Sequence, residues 1–167
     1  MDKKDARIIV LGNEKGGTGK STLAMNIVVG LLDTGKKAAV IDLDARQKSV
    51  VRYLQNRQAF MANGEGQVNM PEFAVVSQSE AGLIKDREKE DQQNLQKVLD
   101  EFKNSVDFIV IDCPGNDTYL SRLAHALADT LVTPLNDSFV DLDLLGEVSA
   151  INYEVKKLSF YSEMVWD

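Results

Sequence analysis

Gly12-Asn13-Glu14-Lys15-Gly16-Gly17-Thr18-Gly19-Lys20-Ser21-Thr22 is the stretch that decides the fold. Ahead of it, Ile8-Ile9-Val10-Leu11 is a short apolar run that reads as a buried strand. Behind it, Leu23, Ala24, Ile27, Val28, Leu31 and Leu32 recur at helical spacing up to a stop at Gly35. A glycine loop that leaves a strand and opens a helix is the setting a phosphate loop requires. Gly16, Gly17 and Gly19, with Thr18 between them, let successive N–H groups turn inward on an anion, and the helix N-terminus adds partial positive charge. Lys20 is then expected to reach the β- and γ-phosphates, Ser21 to ligate Mg²⁺ through its hydroxyl, and Thr22 to contact the α-phosphate side. A plain loop of this kind carries glycine five residues before Gly19; Glu14 stands there, which indicates a variant of it.

Strand and helix patterns alternate outward from the loop. Residues 38–43 read as a second strand that ends among Asp42 and Asp44, and 47–62 as a helix with Val50, Val51, Leu54 and Phe60 as its apolar side. After breakers at Gly64, Gly66 and Pro71, a short strand is expected at 73–76. Residues 79–103 read as mostly helical, with the polar middle 85–93 as a solvated face. A strand at 106–112, a helix at 118–128, a strand at 130–133 and a helix at 140–155 follow. Residues 160–167 look like the middle of a strand approach, so the chain is expected to be the N-terminal part of something longer. Apolar strand runs alternating with helices predict an α/β domain over residues 1–167, with a mainly parallel sheet covered by helices on both faces.

Phosphoryl transfer needs charge neutralisation and a positioned water more than covalent chemistry. Asp112 closes the run Phe108-Ile109-Val110-Ile111 and can meet Mg²⁺ through water. Gly115, three residues on, is placed to offer an N–H to the γ-phosphate. Asp44 is the candidate for orienting the attacking water, and Asp42 is either a partner for loop donors or a metal-side carboxylate. His125 reads as a packing or capping residue and Cys113 as a small core hydrophobe. Arg46, Lys48, Arg52 and Arg57 gather on one predicted helix, as a solvated face or a DNA or partner contact. A net charge of −7 gives no bulk support for nucleic-acid binding. A single cysteine excludes an internal disulfide and a multi-cysteine metal site, and suits a reducing cytoplasm. No run approaches the roughly 20 apolar residues of a membrane span.

Lys15-Gly16-Gly17-Thr18-Gly19-Lys20-Ser21 resembles the deviant Walker A motif of the ParA/MinD ATPases, with Lys15 in the place of their signature lysine. The segments 12–22, 40–47, 108–115 and 133–141 are similar to MipZ-type members. Arg46-Gln47 stands where partition members usually read Pro-Gln, and 136–141 is the stretch that favours MipZ. The resemblance implies ATP and Mg²⁺ as cofactors and a slow ATPase that works as an ATP-dependent homodimer. Lys15 would reach the partner's phosphates, with Gly16 small to allow the approach, while Lys20 and Ser21 serve their own nucleotide and Asp44 positions water. It also implies a ParB-like protein and FtsZ as partners, non-specific DNA binding and a nucleoid-associated cytoplasmic location.

Alternatives are a plasmid or chromosome partition ATPase, a P-loop synthetase and a non-catalytic fragment. A nitrogenase-type iron protein is excluded, because it needs two cluster cysteines and only Cys113 exists.

Overall fold

The computed structural model describes residues 5–64, 66–137, 146–149 and 154–166. Five strands, β1 (Arg7–Leu11), β2 (Ala38–Asp42), β3 (Glu72–Val75), β4 (Phe108–Asp112) and β5 (Thr130–Val132), form one sheet in the order β3-β2-β4-β1-β5. Every pairing in it is parallel. The strands are connected through α1 (Lys20–Asp33), α2 (Ser49–Ala62), α3 (Ile84–Phe102) and α4 (Tyr119–Ala126).

Strand side chains alternate between two cores, as the pleat requires. Val10, Ala39, Ile41, Ile109 and Ile111 pack with Leu95, Leu99 and Phe102 of α3 and Leu120 and Ala124 of α4. Leu11, Ala38, Val40 and Val110 pack with Ala24, Met25, Val28 and Leu32 of α1 and Val50 and Leu54 of α2. Helices therefore cover both faces, and this is why β2 is buried at all five positions and reads as an unbroken apolar run. Asp42 and Asp112 share the parity of Val40 and Val110, so both belong to the α1 face. They stand directly in register at the carboxyl edge of the sheet, and Leu11 is level with Asp112 on the other side.

Several expected boundaries move for local reasons. The strand after α3 begins at Phe108, because the Val106 N–H closes a turn onto the Phe102 carbonyl at 3.2 Å. Helix α3 begins at Ile84, since Asp91 and Glu90 hold the preceding loop open: Asp91 Oδ1 accepts the Ser79 N–H at 2.6 Å and Glu90 Oε2 the Ser79 hydroxyl at 2.5 Å. Asp91 is thus the buried exception on an otherwise solvated stretch. Phe60 is 39% exposed and forms no part of the α2 core contact.

Two expectations near the C-terminal end are corrected. Of the helix expected at 140–155, residues 140–145 and 150–153 lie outside the described residues. Gly146–Val148 is a strand, β6, paired antiparallel with β7 (Val155–Leu158) in a separate two-stranded sheet. Residues 160–166 form a helix, α5 (Phe160–Trp166), in place of a strand approach. Ser159 Oγ accepts the Ser162 N–H at 3.0 Å, a helix-opening contact, and Tyr161 is buried on the main domain. No described helix is long and apolar enough to cross a membrane.

Candidate nucleotide site

Helix α1 opens without a side-chain cap: its N-cap is Gly19, φ 86°, and its first turn carries no acidic residue. Helix α4 shows the contrast, since Thr118 accepts the Ser121 N–H there at 3.0 Å. An uncapped first turn presents N–H donors and the positive end of the helix dipole to an external anion. Gly17 and Gly19 both sit at positive φ, which L side chains rarely adopt. A side chain built at Gly16, Gly17 or Gly19 would meet nothing within 4 Å beyond its chain neighbours, so the loop backbone is uncovered in those directions.

Lys20 lies beneath this loop, 7% exposed, and its Nζ donates to the Lys15 carbonyl at 2.7 Å. Burial pulls its pKa below the ordinary lysine range, while the charges of Asp112, Cys113 and Asp44 push the other way. Asp112 is fully buried, and among the described residues neither carboxylate oxygen makes a hydrogen bond of good geometry, although the Ser21 hydroxyl comes close enough to favour its ionised form. Its pKa is pushed up to about 7, first by burial and then by the Asp42 and Asp44 charges, against the Ser21 hydroxyl and Lys20. Asp42 is pushed up to about 6, again chiefly by burial. Its Oδ1 accepts the Asp44 N–H at 2.8 Å, which makes it a partner for loop donors, but its Oδ2 is buried without a partner.

An unsatisfied buried carboxylate beside a hydroxyl and an anion cradle fits a bound cation. Among the described residues no cluster of three or more His, Cys, Asp or Glu is assembled to hold a metal. A cation here would therefore retain water and phosphate oxygens, as Mg²⁺ does. Ser21 and Asp112 are the residues that would hold it. Thr18 Oγ1, also buried without a partner, belongs to the same cradle.

Asp44 is half-buried at the mouth of the site, its Oδ1 accepting the Gln47 N–H at 3.2 Å. It borders a cleft of about 420 Å³ lined also by Arg46, Ser77, Ser79, Glu80 and Asn116. Gly115 approaches the loop from the β4 side. A Cβ there would stand 2.9 Å from the Gly16 backbone, so Gly115 and Gly16 touch within one chain. The sheet thus brings Lys15, Lys20, Ser21, Asp112 and Gly115 to one end of β1 and β4. Thr22, in the first turn of α1, is exposed. Arg46 and Lys48 precede α2, whereas Arg52 and Arg57 lie on it, and Arg57 Nε donates to the Asn69 carbonyl at 3.1 Å. The four cations are therefore not one stripe. Residues 138–141 of the segment that favoured MipZ lie outside the described residues.

Sequence reasoning missed Asn13. Its buried amide donates to the Pro134 carbonyl at 2.7 Å and accepts the Lys15 N–H at 2.8 Å. It also left His125 as generic packing. The imidazole lies against Gly12, where a Cβ would be 2.1 Å from Nε2. The only sequence signal was the small residue at the end of a strand, which reports that something approaches but not what.

His125 carries a pH prediction. Nδ1 is 2.6 Å from the Ser121 carbonyl and so holds the hydrogen, while Nε2 is buried without a partner. Burial lowers its pKa, against the Ser121 carbonyl and the Asp117 charge. The stabilisation is present above the unfolded value of about 6.5 and is lost as pH falls through the lower folded value. Asp112 and Asp42 run in the opposite sense, because their raised values favour the folded state at low pH. Denaturant melts of wild type and His125→Asn share those carboxylates. Their difference should show wild type losing stability relative to the variant as pH falls below about 6.5.

A family model described as ATPase MipZ matches residues 7–167. The septum site-determining protein MinD of Helicobacter pylori is 26% identical over 167 residues, covering 91% of this chain and 62% of that protein. The chromosome-partitioning ATPase Soj of Treponema pallidum is 27% identical over 153 residues, covering 82% of this chain and 60% of its own length. The solved structure of the septum site-determining protein MinD from Pyrococcus horikoshii, complexed with Mg-ADP, superposes with a TM-score of 0.56 at 23% identity. It covers 83% of this chain and 61% of that one, and this likeness supports the fold. The chain spans about three fifths of the length of these relatives. With the variant phosphate loop, the parallel β3-β2-β4-β1-β5 sheet and a family match over nearly its whole length, this chain belongs to the MipZ family of ParA/MinD-type P-loop ATPases.

Proposed function

We propose that this chain binds and hydrolyses Mg·ATP as a dimerisation switch of the MipZ type, coupling chromosome partition to division-site placement. The observation that carries the reading is the pairing of an uncapped glycine cradle with the buried, unsatisfied Asp112 beside it. In the isolated chain that carboxylate is a liability, which Asp112 would lose by holding, with Ser21, a hydrated Mg²⁺. The magnesium ion supplies charge neutralisation for the phosphate oxygens.

The chain's own residues supply the rest. The amides of 16–22 grip the β-phosphate region, with Lys20 across the β- and γ-oxygens. Gly115 and Asp112 border the γ-phosphate. Asp44 orients the attacking water, and Lys15 serves the nucleotide of a second copy. Gly115 backs Gly16 on one side, but the direction in which a Gly16 side chain would project is open apart from its chain neighbours, which supports that close approach. Water cleaves the β–γ bond, the released phosphate carries away the charge that Lys15 holds, and the dimer dissolves.

Asp44→Ala is expected to leave ATP binding intact and lower turnover by about two orders of magnitude or more, so that the ATP dimer accumulates. Single-turnover hydrolysis with size-exclusion chromatography reads both, and unchanged turnover removes Asp44 from the mechanism.

A second reading, a partition ATPase that moves DNA cargo, is favoured by the match to Soj and by the exposed Arg46, Lys48 and Arg52 at the head of α2. FtsZ pelleting with the ATP-loaded protein separates the two. Loss of FtsZ polymer supports the MipZ role. Unaffected FtsZ, with ATP-dependent DNA retention, supports partition.

A further inference from the structure

The Gly12 carbonyl lies one residue past β1, beyond the last β1 position paired in the sheet ladder. A buried carbonyl there needs another donor. It receives the Tyr161 hydroxyl at 3.1 Å, from a residue 149 positions away on α5. A carbonyl only accepts, so the Tyr161 hydrogen is committed to Gly12. The 2.7 Å contact between Tyr161 and Thr133 must then be donated by Thr133. The result is a directed relay, Thr133 to Tyr161 to Gly12.

The other side of Gly12 is set by His125. Its Nε2 occupies the region where a Gly12 Cβ would project, and its ring meets Tyr161 edge-on, with centroids 5.9 Å apart at 86°. Gly12 N–H is fixed as well, donating to the Val132 carbonyl at 3.1 Å. From this anchored residue the backbone runs three residues to Lys15, with Asn13 bracing the span between Pro134 and the Lys15 amide. The Lys15 carbonyl in turn receives Lys20 Nζ at 2.7 Å. A shift at Gly12 thus reaches both lysines.

We infer that Tyr161 and His125 are positioning residues for Lys15, acting through their clamp on Gly12. The inference rests on the reading of Lys15 as the lysine that serves the partner's nucleotide. A filler role for Tyr161 needs only its ring. The clamp needs the hydroxyl, and the two roles separate in Tyr161→Phe. Thr133→Val is the comparator, since it removes the upstream donor while the Gly12 bond remains.

Two measurements on the full chain test the clamp. The first is hydrogen exchange of the 12–20 peptide without nucleotide. Tyr161→Phe should speed it about five-fold, the effect of losing one ordinary hydrogen bond, and Thr133→Val by less than about two-fold. The second compares ATP-driven pairing with ATP binding by the monomer. Pairing should weaken about five-fold while binding changes by less than about two-fold.

Exchange equal to wild type in Tyr161→Phe overturns the clamp. Binding and pairing falling by the same factor overturns the assignment to Lys15 and leaves a structural role only. If the loop exchanges faster but wild type itself never pairs with ATP, the functional reading is what fails, and the clamp's link to pairing fails with it. His125→Gln carries the same two readouts should Tyr161→Phe fold poorly.

Discussion

Lys20→Ala is expected to reduce Mg·ATP turnover by about two to three orders of magnitude and ATP affinity by about ten-fold or more. Two losses combine. The first is the charge-assisted bond to the phosphates, since the ammonium stands just under the glycine cradle. The second is the tie from Nζ to the Lys15 carbonyl at 2.7 Å, which holds the two ends of the loop together. The variant also leaves Asp112 with less opposing charge, because Lys20 is one of the groups that lowers its pKa. Steady-state hydrolysis and titration with a fluorescent ATP analogue read these effects, with circular dichroism to confirm the fold. Turnover above half of wild type would remove Lys20 from the site.

Asp112→Asn should move stability and activity in opposite directions. The native carboxylate is fully buried, unsatisfied and faced by Asp42 across one sheet register. An amide keeps the shape, removes the buried charge and can donate to Asp42 Oδ2, which also lacks a partner. Without nucleotide the variant should gain about 1 kcal/mol, a rise in Tm of roughly 2–4 °C at neutral pH. Its Mg²⁺-dependent turnover should fall by about two orders of magnitude. A Tm equal to or below wild type would mean that the buried charge is compensated in the free protein. Full activity would place the cation elsewhere. A site that gains stability when its carboxylate is neutralised is one shaped for something other than its own fold.

Most of this arrangement is legible in the sequence because it is local. The loop from Gly12 to Thr22 declares itself through glycine spacing and its setting between a strand and a helix. Asp44 and Asp112 declare themselves as carboxylates at the ends of apolar runs. The five strands and four helices of the main domain follow from period and breakers. What was not legible depends on contacts between distant segments. Nothing near Tyr161 indicates that its hydroxyl meets Gly12, and 160–167 reads as strand-like because its aromatic and β-branched residues favour either state until a docking surface selects one. Tyr161 selects the helix by burying against the main domain while Glu163, two residues on, is exposed. Gly146–Val148 was taken into a helix for a related reason: a three-residue strand is too short to show a period of two. Asn13 is not legible as a brace because one of its partners, Pro134, lies 121 residues away, and only the fold brings it beside the Asn13–Lys15 turn.

The division of labour between the two lysines is the centre of this account. Lys20 is buried in its own chain's cradle, while Lys15 is half-buried five residues before it, next to the exposed Gly16. Sedimentation equilibrium of wild type and Lys15→Ala, each with Mg²⁺ and a non-hydrolysable ATP analogue, tests it most directly when paired with the analogue's affinity for each protein. Wild type should become a dimer with the analogue and remain a monomer with ADP, whereas Lys15→Ala should bind the analogue within about three-fold of wild type and stay monomeric. A Lys15→Ala protein that pairs as well as wild type, or that loses nucleotide and dimer in equal measure, would contradict it.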